Sequence, residues 1–126
     1  MLRRFKMARR VLIVDDSAFM RTMVRGALAN AGYDIVAEAD NGEVAIQQYV
    51  QLKPDLVTMD LVMVGNGGMD ALKRIVAHDP KARVLVVSAM GQQALVIEAI
   101  QTGAKGFLVK PFEPEQLMEE AKRILG

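Results

Sequence analysis

The sequence predicts a doubly wound α/β domain, in which a five-stranded parallel sheet carries five helices on its two faces. Five short apolar runs rich in Val, Ile and Leu alternate along the chain with five segments of helical spacing. The apolar runs are mostly continuous, as in strands that are covered on both faces. The length of 126 residues fits one domain, because single cores usually extend to about 100–150 residues.

The strand-length runs occupy residues 11–14, 35–37, 56–59, 84–87 and 107–109. Helical segments follow them in turn, marked by the apolar pairs Val24 and Leu28, Ala45 and Tyr49, Leu72 and Ile75, Ile97 and Ile100, and Leu117 and Ala121. Asp16 or Ser17 can cap the first helix, and Asn41 or Asp40 the second. This regular alternation predicts right-handed crossovers between parallel strands.

Composition limits the classes of function. A formal net charge of +1 gives no overall field that would attract nucleic acid or anionic lipid, so we expect no direct DNA binding. No run of about 18 apolar residues occurs, so we expect no membrane insertion. Cysteine is absent, which is compatible with a reducing compartment, and we expect a cytoplasmic monomer. Residues 1–9 are predicted to be a disordered basic extension and residues 10–126 the folded domain.

Polar residues stand at the ends of four of the five predicted strands. Asp15 and Asp16 follow the first strand, Asp60 the third, Ser88 the fourth and Lys110 the fifth. The carboxyl ends of parallel strands share one edge of the sheet, where doubly wound domains bind their ligands. An Asp after one strand is often only a helix cap, but four strand ends at once indicate a functional site.

These residue types indicate magnesium-dependent phosphoryl chemistry. Carboxylates that converge to about 5 Å repel by about 3 kcal/mol per pair at an effective dielectric constant of about 20, so the site requires a cation. Mg²⁺ fits, because it prefers oxygen ligands and commonly shares them with phosphate. Ser88 and Lys110 supply a hydroxyl and an ammonium group for the phosphoryl oxygens. With no cysteine and no Ser-His pairing, Asp60 is the central candidate for the nucleophile.

Four motifs surround these residues: Val11-Leu-Ile-Val-Asp-Asp-Ser17, Val57-Thr-Met-Asp-Leu61, Val86-Val-Ser-Ala-Met90 and Gly106-Phe-Leu-Val-Lys-Pro-Phe112. With them, residues 10–125 resemble the receiver domains of two-component response regulators, most of all the single-domain receivers of chemotaxis. The resemblance implies a flavodoxin-like sheet order of 2-1-3-4-5. It also implies a signalling domain that phosphorylates and dephosphorylates itself and is not a turnover enzyme.

The resemblance implies a role for each site residue. Asp60 would accept the phosphoryl group from the phosphohistidine of a kinase. Asp15, Asp16 and Asp60 would hold Mg²⁺ together with the backbone carbonyl of Val62, with Asp16 as a direct ligand and Asp15 acting more through water.

Further roles concern the phosphoryl group and the switch. Ser88 and Lys110 would contact the phosphoryl group, and the Lys110-Pro111 bond would be cis. The switch would draw the Ser88 hydroxyl toward the phosphoryl group and turn Phe107 inward.

Two departures from the family pattern stand out. After the acceptor the family commonly has Met-Pro and a polar turn, whereas this chain has Met63-Val-Gly-Asn-Gly-Gly68, so we predict a mobile loop over residues 64–68. Val62 and Met90 occupy positions that often tune hydrolysis in the family, and neither side chain can orient water. We therefore predict slow loss of phosphate from Asp60.

The resemblance implies a histidine kinase of the chemotaxis type and, as output partner, a flagellar motor switch protein or a phosphatase. We expect no second domain after Gly126, so the output would be a binding surface from the fourth to the fifth helix, near Met90, Leu95 and Val96. A phosphorelay intermediate, a phosphate sink and the isolated receiver of a longer regulator stay open. An aspartyl-phosphate phosphatase or a flavodoxin-like nucleotide carrier is less favoured, since Val62 is no acid and no Gly-rich loop follows the first strand.

Overall fold

All five predicted strands and all five predicted helices are present in the computed structural model, which describes residues 8–64 and 67–126. The strands are β1 Arg10–Val14, β2 Asp34–Ala39, β3 Leu56–Asp60, β4 Val84–Ala89 and β5 Gly106–Lys110. The helices are α1 Ala18–Asn30, α2 Gly42–Leu52, α3 Gly67–His78, α4 Gln93–Thr102 and α5 Pro114–Leu125. Among the described helices, none is long and apolar enough to cross a membrane.

The five strands form one parallel sheet in the order β2-β1-β3-β4-β5, which confirms the sheet order implied by the resemblance. The register pairs Val14 with Met59 and Asp60 with Val87. At the far edge, Ala89 pairs with Lys110. This alignment brings the carboxyl ends of β1, β3, β4 and β5 together along one edge.

Each face of the sheet packs against its own hydrophobic core, because successive side chains of a strand point to opposite faces. On one face Leu12 and Val57 pack with Leu72 of α3. On the other, Ile13 and Leu85 pack with helical side chains that include Leu28 and Leu117. The inner strands β1, β3 and β4 are therefore buried on both faces, as their continuous apolar runs predicted, whereas the edge strands β2 and β5 are partly exposed.

Side chains at the helix ends confirm two predicted caps. The Ser17 hydroxyl accepts a hydrogen bond from the Met20 amide at 3.2 Å, and the Asn41 side chain accepts one from the Val44 amide at 2.9 Å. α1 and α2 therefore begin directly beyond the carboxyl ends of β1 and β2.

The predicted basic extension, residues 1–9, lies mostly outside the described residues. Of its last two residues, Arg9 contacts the folded part: its carbonyl accepts a hydrogen bond from the Asp34 amide at 2.9 Å. The Arg9 guanidinium donates to the Leu125 carbonyl, also at 2.9 Å.

Candidate functional site

Three carboxylates meet at the carboxyl edge of the sheet, as the strand ends predicted. Asp15 and Asp16 follow β1, and Asp60 is the last residue of β3. One carboxylate oxygen from each lies within 4.8 Å of the others. Asp15 and Asp60 are buried, whereas Asp16 is exposed. The site is thus open to solvent on the side of Asp16.

Lys110, at the end of β5, reaches across the sheet to the two buried carboxylates. Its Nζ donates to Asp15 Oδ2 at 3.1 Å and to Asp60 Oδ2 at 3.3 Å. Burial lowers the pKa of Lys110, but the charge of Asp60 and the hydrogen bond to Asp15 outweigh it and hold the pKa above its usual value. The ammonium therefore stays charged. The bond between Lys110 and Pro111 is cis, as the resemblance implied.

The three carboxylates and one ammonium leave the cluster with a formal charge of −2, so the site fits a divalent cation. All the candidate metal-ligand atoms of the side chains are carboxylate oxygens, which are hard ligands, and one side of the cluster is open to water. Mg²⁺ prefers such a site, because it keeps several water ligands.

The protein engages Asp15 and Asp16 differently. Asp15 Oδ1 accepts from the Ser17 amide at 2.9 Å, while its Oδ2 accepts from Lys110. In the described part of the chain, no hydrogen bond reaches the Asp16 carboxylate, which leaves it to solvent or to a cation. Arg21, which sequence reasoning missed, donates to the Asp15 carbonyl at 2.7 Å and so fixes the turn that carries both residues.

Asp60 is held from two sides. Its Oδ1 accepts from the Val62 amide at 3.2 Å, and its Oδ2 from Lys110. Burial raises its pKa most, the Val62 amide lowers it, nearby Asp15 raises it and Lys110 lowers it; the net direction is upward. The ionised form of Asp60 is therefore less stable at this position than in water. Neutralising Asp60 lowers the free energy of the folded state.

Ser88 brings a hydroxyl to the same edge. The residue is 1% exposed, and its Oγ has no hydrogen-bond partner among the described residues. A buried hydroxyl without a partner is unfavourable by about 1–3 kcal/mol. Ser88 is one residue beyond Val87, the β4 residue paired with Asp60, so it lies next to Asp60 and is placed to bond a group bound there.

Beside Ser88 lies an open groove of about 580 Å³ between the end of β4, helix α4 and β5. Its lining is mostly apolar and includes Met90, Val96, Ile97 and Phe107. Phe107 is 46% exposed and Met90 is 77% exposed, so Phe107 faces the groove and is not packed into the core. Met90 and Val96 thus lie on the surface that the resemblance implied for partner binding.

The prediction of a mobile loop over residues 64–68 is wrong for its last two residues. Gly67 and Gly68 form the first turn of α3, while Gly65 and Asn66 lie outside the described residues. A Cβ on Gly68 would stand 1.8 Å from the Asp60 carbonyl oxygen, and the Gly68 amide donates to the Leu61 carbonyl at 3.1 Å. Glycine is needed here for close packing against the Asp60–Leu61 peptide, a requirement that the sequence alone does not distinguish from flexibility.

Comparison with known proteins agrees with this geometry. The family described as response regulator receiver domain matches residues 11–122. The chain is 52% identical to the chemotaxis protein CheY of Thermotoga maritima over 118 residues, covering 94% of this chain and 98% of that protein. It is 50% identical to CheY of Bacillus subtilis over 120 residues, covering 95% of this chain and 100% of the other.

Among solved structures, the chain resembles the CheX–CheY–BeF₃–Mg²⁺ complex from Borrelia burgdorferi. The TM-score is 0.90 at 32% identity, and the match covers 94% of this chain and 90% of that one. The related structure thus combines the matched fold with Mg²⁺ and a fluoride of beryllium.

Proposed function

The chain belongs to the family of response regulator receiver domains, and from this premise we propose that it is a phosphorylation-activated regulator of chemotaxis. In this proposal Asp60 accepts a phosphoryl group from a histidine kinase, and the phosphorylated form binds a partner. One observation carries the assignment of the acceptor. Among the three clustered carboxylates, only that of Asp60 is at once buried, at the end of the central strand β3, and beside both the Lys110 ammonium and Ser88.

Phosphoryl transfer needs a nucleophile and a means to disperse charge. A carboxylate oxygen of Asp60 attacks the phosphorus of the phosphohistidine; the P–O bond forms, the P–N bond breaks, and the imidazole nitrogen takes up a proton. Asp15, Asp16, Asp60 and the Val62 carbonyl would hold Mg²⁺, and the bound ion would supply positive charge between the carboxylates and the incoming phosphoryl oxygens.

Lys110 and Ser88 complete the site in this proposal. The Lys110 ammonium, which already bonds Asp60 Oδ2 at 3.3 Å, turns one of its hydrogen bonds to a phosphoryl oxygen. The unpartnered Ser88 hydroxyl donates to a second phosphoryl oxygen. This bond removes the free-energy penalty of burying the hydroxyl without a partner. Movement of Ser88 then opens space at the groove, and Phe107 turns from its half-exposed position into that space.

The partners follow from the same proposal. The donor is a histidine kinase of the chemotaxis type, and the groove beside α4 and β5 binds a flagellar motor switch protein or a phosphatase. The complex of a related CheY with CheX supports a protein partner for the loaded form. The protein acts in the cytoplasm as a monomeric signalling domain and not as a turnover enzyme, which agrees with its similarity over almost the full length of CheY.

Intact-mass measurement after incubation with acetyl phosphate and Mg²⁺ tests the proposal. The wild type is expected to gain one phosphoryl group, and Asp60→Asn none. Asp40→Asn is the matched control, because Asp40 follows β2 at the same edge but lies outside the carboxylate cluster. An adduct that persists in Asp60→Asn, or its absence from the wild type when Mg²⁺ binds, would contradict the assignment.

A further inference from the structure

Gln92 makes an unusual contact beside the proposed phosphoryl site. Its side-chain Oε1 accepts a hydrogen bond from the backbone amide of Ala89 at 2.7 Å. Ala89 is the last residue of β4, and Gln92 precedes the first residue of α4. The Gln92 side chain makes no capping bond to its own helix. Its side-chain carbonyl therefore links the end of β4 to the start of α4.

This link acts on Ser88 because the Ser88–Ala89 peptide unit is planar and stiff. The amide that Gln92 holds belongs to the same plane as the Ser88 carbonyl. A backbone rotation that carries the Ser88 end of this peptide toward Asp60 also turns the Ala89 amide away from Gln92. The Ser88 hydroxyl makes no hydrogen bond to Asp60 or Asp15 as it stands, since it has no partner among the described residues.

We propose that Gln92 is a positioning residue that holds the Ser88–Ala89 peptide in its unloaded orientation and releases it when Asp60 carries a phosphoryl group. The inference rests on the proposed function, since the group that draws Ser88 is the phosphoryl group. Gln92 then opposes loading, because a bond that is present only in the unloaded form stabilises that form alone. The start of α4 is freed at the same step, which links the site to the groove.

Affinity for beryllofluoride in the presence of saturating Mg²⁺ measures this effect without a phosphodonor. Loss of one neutral hydrogen bond from the unloaded form is expected to make Gln92→Ala bind beryllofluoride about fivefold more tightly than the wild type. Gln93→Ala is the matched control, because Gln93 is exposed and neighbours Gln92 in sequence. Gln92→Glu keeps an acceptor for the Ala89 amide and is expected to bind no more tightly than the wild type.

Backbone NMR adds a readout that a purely structural role would not change. In the wild type without beryllofluoride, the Ala89 amide hydrogen is expected to exchange slowly with solvent. Once beryllofluoride binds, it is expected to exchange faster relative to the neighbouring amides. In Gln92→Ala it is expected to exchange rapidly in both states. A Gln92→Ala variant with lowered thermal stability and unchanged or weaker affinity would overturn the proposal, as would an Ala89 amide equally protected in the loaded wild type.

The two proposals fail separately. If the wild type binds no beryllofluoride and forms no adduct with acetyl phosphate, the proposed function fails and the role of Gln92 with it. If the wild type does both and Gln92→Ala matches Gln93→Ala in affinity, only the role of Gln92 is refuted.

Discussion

Replacing Asp60 with Asn is expected to stabilise the protein in the absence of Mg²⁺. Carboxylate oxygens of Asp15 and Asp16 lie within 4.8 Å of one from Asp60, and each such pair repels by about 3.5 kcal/mol at an effective dielectric constant of about 20. Lys110 Nζ, at 3.3 Å, attracts Asp60 by about 5 kcal/mol on the same scale. Two repulsions against one attraction leave ionised Asp60 unfavourable by at most about 2 kcal/mol, because Asp16 is exposed and water screens its charge; the burial of Asp60 adds to this penalty.

The amide side chain of Asp60→Asn would keep an acceptor for the Val62 amide and lose the charge. For a domain of this size, about 2 kcal/mol corresponds to a rise in Tm of about 6–10 °C. Thermal unfolding followed by circular dichroism at pH 7 in EDTA measures it. With Mg²⁺ at about 100 times the wild-type Kd, the wild type is expected to gain about 2.7 kcal/mol and Asp60→Asn, which lacks one negative charge at the site, clearly less.

The pH dependence provides a second check with a definite sign. Burial foremost raises the pKa of Asp60 above its ordinary value of 3.8, so the ionised group opposes folding above the folded-state pKa. As the pH falls through that pKa, Asp60 becomes protonated and the opposition disappears. The advantage of Asp60→Asn is therefore expected at neutral pH and lost below about pH 3.8.

Asp40→Asn is the control, because Asp40 is exposed and lies outside the cluster. If Asp60→Asn is no more stable than the wild type in EDTA at pH 7, or if its advantage persists unchanged at low pH, the electrostatic reasoning is refuted.

Three further predictions concern packing, a partly buried hydrogen bond and phosphate lifetime. Gly68→Ala is expected to destabilise the protein by about 1–3 kcal/mol and to slow adduct formation, because its Cβ would meet the acceptor's carbonyl at 1.8 Å. Gly26→Ala, in open space on α1, is expected to stabilise by about 0.5–1 kcal/mol; urea denaturation measures both. Tyr49→Phe is expected to cost about 1 kcal/mol in the same assay, since its hydroxyl donates to a carboxylate at 2.7 Å. The wild-type acyl phosphate is expected to decay more slowly by intact mass than that of Val62→Glu or Met90→Glu, because neither native side chain orients water.

Each of these has its own contrary result. Equal stability of the two glycine variants would mean that the close approach at Gly68 is relieved at no cost. An unchanged urea midpoint for Tyr49→Phe would show that water replaces the bond fully. A wild-type decay as fast as that of the Glu variants would remove the argument from Val62 and Met90.

The sequence predicts most of this fold because its signals are local and agree with one another. Apolar runs such as residues 84–87 predict buried strands, and each run gains one or more flanking residues in the structure, as β4 Val84–Ala89 does. Strand ends are least visible in the sequence because the chain turns polar there. Those polar residues, from Asp15 to Lys110, nonetheless predict the site, since parallel strands bring their carboxyl ends together.

What the sequence could not show are contacts between elements that depend on exact distance. In the sequence, three glycines near residue 67 predict a flexible loop. In the structure, Gly68 has to be glycine because α3 packs against the Asp60–Leu61 peptide. Gln92 reads as one more polar residue before a helix, and only its geometry reveals the bond to Ala89. Phe107 reads as core in an apolar strand, but β5 lies at the edge of the sheet and leaves the ring half exposed.

The hydrogen bond from Arg9 to the Leu125 carbonyl has a practical consequence for protein engineering. It brings the beginning of β1 beside the end of α5, at the end of the sheet opposite the carboxylate cluster. A short linker between these two points would create a circular permutant, and new termini could then be opened at an exposed loop of choice. Reporter domains attached beside Arg9 and Leu125 would likewise project away from the carboxylate cluster, so that energy transfer between them would report on unfolding while leaving the proposed phosphoryl site unobstructed.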